Sequence, residues 1–472
     1  RTAGAAAPAE PSAGSFGLEV EDISPPIPPL EDDGLAGAAQ ARVEKLARTI
    51  RKTISAGDPA SAHALLTSGE FSRLADDVTY DRAAQTVAFA YFLKGKAKTA
   101  LDLAAKAAAR SGDDVPLAQW TAGLAAYKLE RYAAAEPFFA ALALNRSASA
   151  RQRAAGGYWA FRAAKAVESV DQAQRYLRGA AEYPTTFYGL LAHAALGRPI
   201  KLNWNQPGLS PRERDELLRY PEVRRALALV QVGQRRLAEQ EFSSLDPARD
   251  PGRALTVLGL ATRLGLPATE IRLGYGLADN WEARYLAALY PVPLYRPRDG
   301  FEIDRALLFA FMRQESAFNA FARSSAGAVG LMQLMPRTAA FIGRDRTLAD
   351  KTDTRLLDPE FNLALGQSYI AHLMAEPDIG RNLMFVAAAY NAGPGNLRKW
   401  RKGKTATGDP LMFLESLPSA ETRHFVQQVM TNFWLYRARL GQDSPSLREV
   451  ALNRWPTYDV QDKRQLAAYA GN

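Results

Sequence analysis

The chain has 472 residues, 47% of them hydrophobic and 23% charged, with a net charge of +9. That length exceeds one ordinary core and predicts two to four domains. The basic excess suits an acidic partner, but no RNP-type aromatic motif, Cys/His finger or long Lys/Arg run points to nucleic acid; another anionic polymer, or simply a solvated surface, meets the charge equally well.

The absence of cysteine excludes a disulfide, a thiolate metal site, a Cys nucleophile and a lipidated N-terminal Cys, and leaves the compartment open. His63, His193, His372 and His424 are scattered without metal-ligand spacing, so they read as packing or surface residues and no metal is expected. No apolar run approaches membrane-spanning length. An opening at Arg1 rather than Met fits a mature form whose signal has been removed, and equally a trimmed chain.

Residues 1–36, rich in Ala, Pro and acids, read as a flexible leader. From 37 to 205 the chain turns to Ala-rich amphipathic helices. Tyr91, Leu93 and Ala97 recur as Tyr127, Leu129 and Ala133 at an offset of 36 residues. That is close to the helix-pair repeats whose small faces stack tightly, so an α-superhelix of solenoid type is expected; with two copies visible, an irregular right-angled helical array is an equal reading. The breakers of RPIKLNWNQPGLSP (Arg198–Pro211) mark an inter-domain connection. Helices over 206–290 form a linker domain that ends in the Pro-rich LYPVPLYRPRDG, and 291–472 form the terminal domain. The fold class is mainly α.

In the terminal domain Asp304 is expected to cap a helix on which Leu308, Phe311, Met312 and Glu315 share one face. A carboxylate on an apolar face loses water, and its pKa rises toward that of a neutral-pH proton donor. The bland alternative is a half-exposed Glu paired with Arg313 or Arg323. After it comes AFARSSAGAVGLMQLMP, with no further acid from Ser316 to Arg344. Gly327 and Gly330 permit a tight turn, Leu331–Leu334 reads as a short strand, and Pro336 opens the next helix. Ser324 and Gln333 carry hydroxyl and amide groups able to bind sugar or N-acetyl groups. Asp358-Pro359 caps a helix with Leu365, Tyr369 and Leu373 on one face. A further helix breaks at Asn391-Ala392-Gly393-Pro394-Gly395, beside Tyr390, which periodicity alone assigns to packing. Glu421 sits in the first turn of a long final helix, where the dipole favours a negative charge.

Taken together, ES-x-F-x(3)-A-x-S-x(2)-GA-x-GLMQLMP-x-TA, then AYNAGPG, then ETR resemble the soluble lytic murein transglycosylases, strongly over Glu302 to about Leu440. The Ala-rich helices and TTFYGLLA (Thr185–Ala192) resemble their N-terminal superhelix more weakly. The resemblance implies a lysozyme-like α+β catalytic domain with a small β element behind an α-superhelix, in a periplasmic enzyme acting on peptidoglycan glycan strands. It implies Glu315 as sole acid/base, and Ser324, Met332, Gln333, Met335, Tyr390, Asn391 and Glu421 in the sugar-binding groove. One carboxylate suffices because the muramic acid residue carries its own nucleophiles. Its N-acetyl oxygen can reach C1, and its C6 hydroxyl can close a 1,6-anhydro ring. No cofactor is needed, and nothing demands more than a monomer. Two rivals stand beside this reading. A hydrolytic lysozyme would need a second carboxylate, from Glu421 or Asp345. A non-catalytic scaffold would use the helical array to recruit other cell-wall enzymes.

Overall fold

The computed structural model describes residues 34–277, 285–350, 353–403 and 408–462. The expected leader lies outside the described residues except for its last three positions, which open the helix Gly34–Ser55. Among the described residues there are 24 α-helices and no named strand. No described helix is long and apolar enough to cross a membrane.

The repeat becomes three helix pairs: Asp77–Leu93 with Ala97–Ser111, Pro116–Lys128 with Tyr132–Leu144, and Ala150–Ala166 with Val170–Ala181. Each helix packs on the next. The pairs share one turn geometry. Gly95, Glu130 and Glu168 each take a left-handed φ, at 74°, 57° and 59°. The following amide bonds five residues back in each case: Lys96 N to Tyr91 O at 2.9 Å, Arg131 N to Ala126 O at 3.0 Å, Ser169 N to Ala164 O at 2.9 Å. This satisfies carbonyls that a helix end leaves open. The equivalent turn positions are Tyr91, Ala126 and Ala164, so the match of Tyr91 with Tyr127 is one residue out of register, and the third copy, Ala164–Ser169, carries neither Tyr nor Leu. Alanines such as Ala118, Ala122, Ala154 and Ala160 are fully buried between helices, which lets the pairs approach closely.

Residues 198–210 are irregular, as the breakers predict, and helices resume at Pro211. The region over 209–288 holds an apolar cluster of its own, around Phe242, Leu258 and Leu273. The array and the terminal region instead share one continuous core running from Val43 to Tyr458. At their junction Phe187 stacks on Trp434 with ring centroids 5.3 Å apart.

Two local expectations fail. No strand forms over Leu331–Leu334, because Gly330 (φ 80°) and Gln333 (φ 43°) bend the backbone out of extension. The small β element is reduced to two antiparallel bridges, Arg323 with Val329 and Val329 with Leu334. Asp304 does occupy the N-cap of the helix Arg305–Ser316, but its side chain makes no capping bond. Its carboxylate turns inward to Arg437 at 2.6 Å and to the backbone N–H groups of Gln461 and Asp462. A charged partner and two amides outcompete one cap.

Candidate active site

The helix Arg305–Ser316 is buried along every residue from Ala306 onward, so both its faces are packed. One face lies on the helix Ala420–Arg439. Arg313, the expected alternative partner of Glu315, points elsewhere. Its guanidinium donates to Leu289 O at 2.7 Å, Asn432 Oδ1 at 3.0 Å and the Tyr275 hydroxyl at 2.7 Å, and lies over the Tyr290 ring. Arg323 is exposed on the loop.

Glu315 comes one residue before the end of this helix, with 4% of its surface exposed. The helix stops abruptly because Ala317 and Phe318 both adopt left-handed φ, at 47° and 65°. Ser316 Oγ donates to Leu331 O at 2.8 Å and so ties the helix end to the returning loop. Among the described residues no hydrogen bond or ion pair reaches the Glu315 carboxyl. Burial, and after it the negative charge of Glu421, push its pKa well above the ordinary carboxylate value. The result is a largely buried carboxyl whose charged form is disfavoured.

The loop after Glu315 is held from within and from behind. Ser324 Oγ accepts from Ala328 N at 2.9 Å, closing the turn around Gly327. Behind it stands Asn362, fully buried, which donates to Val329 O and Leu356 O at 2.9 Å each and accepts from Met332 N at 2.8 Å. The sequence reading missed Asn362. Its signal was an amide in the first turn after Asp358, in line with Leu365, Tyr369 and Leu373 on the buried face of the helix Pro359–Ala375.

Gly330 fits tightly against this amide. A Cβ there would stand 2.4 Å from both Asn362 Nδ2 and Leu356 O, at a φ that L side chains rarely adopt. Strain and overpacking each cost about 1–3 kcal/mol, so Gly330→Ala is expected to lose roughly 3 kcal/mol or more of stability in a urea titration.

Of the residues expected in the groove, Glu421 and Tyr390 come within electrostatic reach of Glu315. Tyr390, 9% exposed, donates its hydroxyl to Met332 O at 2.7 Å and packs its ring on Phe311, Tyr369 and Phe425. Its own ionisation is pushed up by burial and then by Glu315, which lies within electrostatic reach. Gln333 donates its amide to Ala322 O at 3.1 Å and Gly330 O at 2.9 Å, while its buried Oε1 has no partner among the described residues. Asn391 Oδ1 accepts from Thr422 Oγ1 at 2.7 Å, and Asn391 Nδ2 donates to Glu421 Oε1 at 3.4 Å. Thr422 is thus the second residue the sequence reading passed over, although it lies inside the ETR motif.

The others stand differently. Met332 is fully enclosed, its side chain filling the socket above Gly366, and only its backbone reaches Tyr390. Ser324 and Met335 are half-buried, the first engaged in its turn and the second at the N-cap of the helix Pro336–Gly343. Asp345, a candidate second carboxylate, belongs to an exposed cluster with Thr347 and Arg355, where those partners lower its pKa to about 2. Among the described residues Glu421 is the carboxylate that comes within electrostatic reach of Glu315.

Residues 296–413 match the family model of the Transglycosylase SLT domain. The chain is 32% identical over 268 residues to the soluble lytic murein transglycosylase of Escherichia coli K12, covering 55% of this chain and 40% of that protein. It is 35% identical over 156 residues to a putative soluble lytic murein transglycosylase of Haemophilus influenzae, covering 32% of this chain and 26% of that one. The chain thus spans well under half the length of these relatives. Among solved structures, an inactive mutant of the lytic transglycosylase Slt from Pseudomonas aeruginosa superposes with a TM-score of 0.66 at 25% identity, over 88% of this chain and 65% of that one. The 70 kDa soluble lytic transglycosylase of Escherichia coli shares the fold at 21% identity, with a TM-score of 0.56 over 92% of this chain and 79% of that one. The resemblance carried by the three motifs is upheld by these comparisons, and so is the helical architecture.

Proposed function

We propose that this chain is a periplasmic lytic transglycosylase that cleaves the β-1,4 bond between N-acetylmuramic acid and N-acetylglucosamine in peptidoglycan and leaves a 1,6-anhydro product. The observation that carries the proposal is Glu315: a buried carboxyl at a helix end, with no cationic partner among the described residues, whose pKa burial pushes up within electrostatic reach of Tyr390. Glu315 protonates the leaving glycosidic oxygen. The substrate's N-acetyl oxygen supports C1 as that bond opens. The resulting Glu315 carboxylate then takes the proton of the C6 hydroxyl as it attacks C1, so the residue ends the cycle protonated again. The tethered hydroxyl replaces an activated water.

Gln333 Oε1, an unpartnered buried acceptor, and the Asn391 and Glu421 pair are suited to sugar hydroxyl and amide groups, with Ser324 and Met335 further along the loop. Met332 contributes through its backbone. The chain works as a monomer, with a leader over 1–36, a superhelix over 37–205, a linker domain over 206–290 and the catalytic domain over 291–472. The separate apolar cluster within 209–288 supports the linker domain, while the superhelix and the catalytic domain pack on one shared core.

One observation favours a second reading. Glu421 lies near enough to Glu315 to act on its charge, and a hydrolase would use such a residue to hold water. Mass spectrometry of muropeptides released from purified murein separates the two, with Glu315→Gln as control. Products one water lighter than the reducing forms are expected. Reducing ends would establish hydrolysis and move attention to Glu421.

A further inference from the structure

The TTFYGLLA segment (Thr185–Ala192) lies in the N-terminal array, far in sequence from Glu315, yet its tyrosine enters the catalytic domain. Tyr188 donates its hydroxyl to Glu415 Oε1 at 2.5 Å, across 227 positions of sequence, and both residues are buried. The same oxygen accepts from Gln427 Nε2 at 2.9 Å. Gln427 belongs to the helix Ala420–Arg439, whose first turn carries Glu421. Glu415 is thus a node between the array and the helix that carries the groove wall.

A second tie runs parallel. Arg423, on the same helix, donates to Leu417 O, and its guanidinium lies over the Phe89 ring of the array at 4.9 Å. Between these ties stand Ser416, which accepts from Lys128 Nζ of the array at 3.4 Å, and Ser419, whose hydroxyl caps the helix through Thr422 N at 3.1 Å. Thr422 in turn holds Asn391. Tyr188 is therefore tied through Glu415 to Gln427 in the second turn of this helix, while Ser419 at its N-cap and Thr422 in its first turn hold Asn391, which bonds Glu421.

We infer that Tyr188 and Glu415 are positioning residues for the reaction: the N-terminal array sets the first turn of the Ala420–Arg439 helix, and with it Asn391 and Glu421, in register with Glu315. The array is then part of the catalytic geometry as well as a scaffold. The inference rests on the proposed function for its kinetic consequence. Displacement of a substrate-aligning wall is felt at the transition state more than in ground-state binding, because small misplacements remove near-attack alignment.

The test compares the full chain with Tyr188→Phe, Gln427→Met and the double variant, below their melting temperatures. Tyr176→Phe is the control, since it removes a hydroxyl bond to Glu136 inside the array and away from the catalytic domain. Tyr188→Phe is expected to lower kcat for anhydro-muropeptide release about tenfold, with KM within a factor of two. Gln427→Met should act similarly and the double variant no worse, because both bonds end on one oxygen. Tyr176→Phe should match the unaltered chain. Equal kcat for Tyr188→Phe and the unaltered chain would overturn the inference, as would fully additive effects. Hydrogen exchange gives a reading that does not depend on the reaction. Tyr188→Phe should lose protection at residues 416–425 and keep it over 306–316; unchanged protection at 416–425 refutes the positioning role even if the enzyme turns out to make other products.

Discussion

Glu315→Gln is expected to lower turnover on murein about 10³-fold, in the middle of the range for loss of a general acid or base, while folding and glycan binding persist. The amide keeps the shape of the carboxyl but can neither give up a proton to the leaving oxygen nor take one from the C6 hydroxyl, so both half-reactions fail together. The substitution also tests the electrostatics. Glu315 has a folded-state pKa raised above its ordinary value of about 4.5, so the folded chain holds a proton that the unfolded chain releases. Its contribution to stability is complete below about pH 4.5 and is lost as pH rises through the folded value. Thermal melts from pH 4 to 8 should therefore fall less steeply for Glu315→Gln than for the unaltered chain, and the variant should be the more stable of the two at neutral pH. A variant that turns over at a comparable rate would refute the single-carboxylate mechanism. Matching pH slopes would show that Glu315 is hydrated rather than dry.

Asp304→Ala is expected to cost about 3–5 kcal/mol of stability, the largest structural effect of any single substitution considered. Asp304 and Arg437 form an ion pair at 2.6 Å with side-chain exposures of 0% and 1%. Burial works against both charges, raising the aspartate pKa and lowering that of the arginine. Removing one partner leaves an uncompensated charge in the core, where two guanidinium nitrogens of Arg437 already lack a hydrogen-bond partner among the described residues. It also frees the N–H groups of Gln461 and Asp462, which pin residues 461–462 against the start of the helix that carries Glu315. Replacing both residues, as in Asp304→Leu with Arg437→Met, should restore much of the loss, because the pair's attraction does little more than offset its desolvation. Urea titration of the two single variants and the double variant measures this directly. A double variant as weak as the singles would mean that the backbone contacts, not the charges, carry the cost.

Much of this molecule is decided locally and was therefore legible in its residues. Spacing put Glu315 on an apolar face, the breakers at 198–210 and 393–395 interrupted helices where the structure does, and Asp358 capped the helix after it. These features depend on side chains within a few positions of one another, where period and propensity act. The left-handed turns at Glu130 and Glu168 escaped notice because no glycine marks them. Asp304 reads as a cap because Arg437 is out of sight in sequence, and Leu331–Leu334 reads as a strand because nothing local forbids it.

Only the tertiary structure could decide which partners those residues find. Sequence alone left Glu315 with two nearby arginines and two distant acids as possible neighbours. Folding sends Arg313 to Asn432 and Tyr275, takes Asp345 into a surface cluster with Arg355, and brings Glu421 into reach. The seat of Gly330 on Asn362 and the bond from Tyr188 to Glu415 are settled in the same way. The physical reason is common to all of them. A buried polar group takes its partner from whichever element packs beside it, and that element can lie hundreds of residues away.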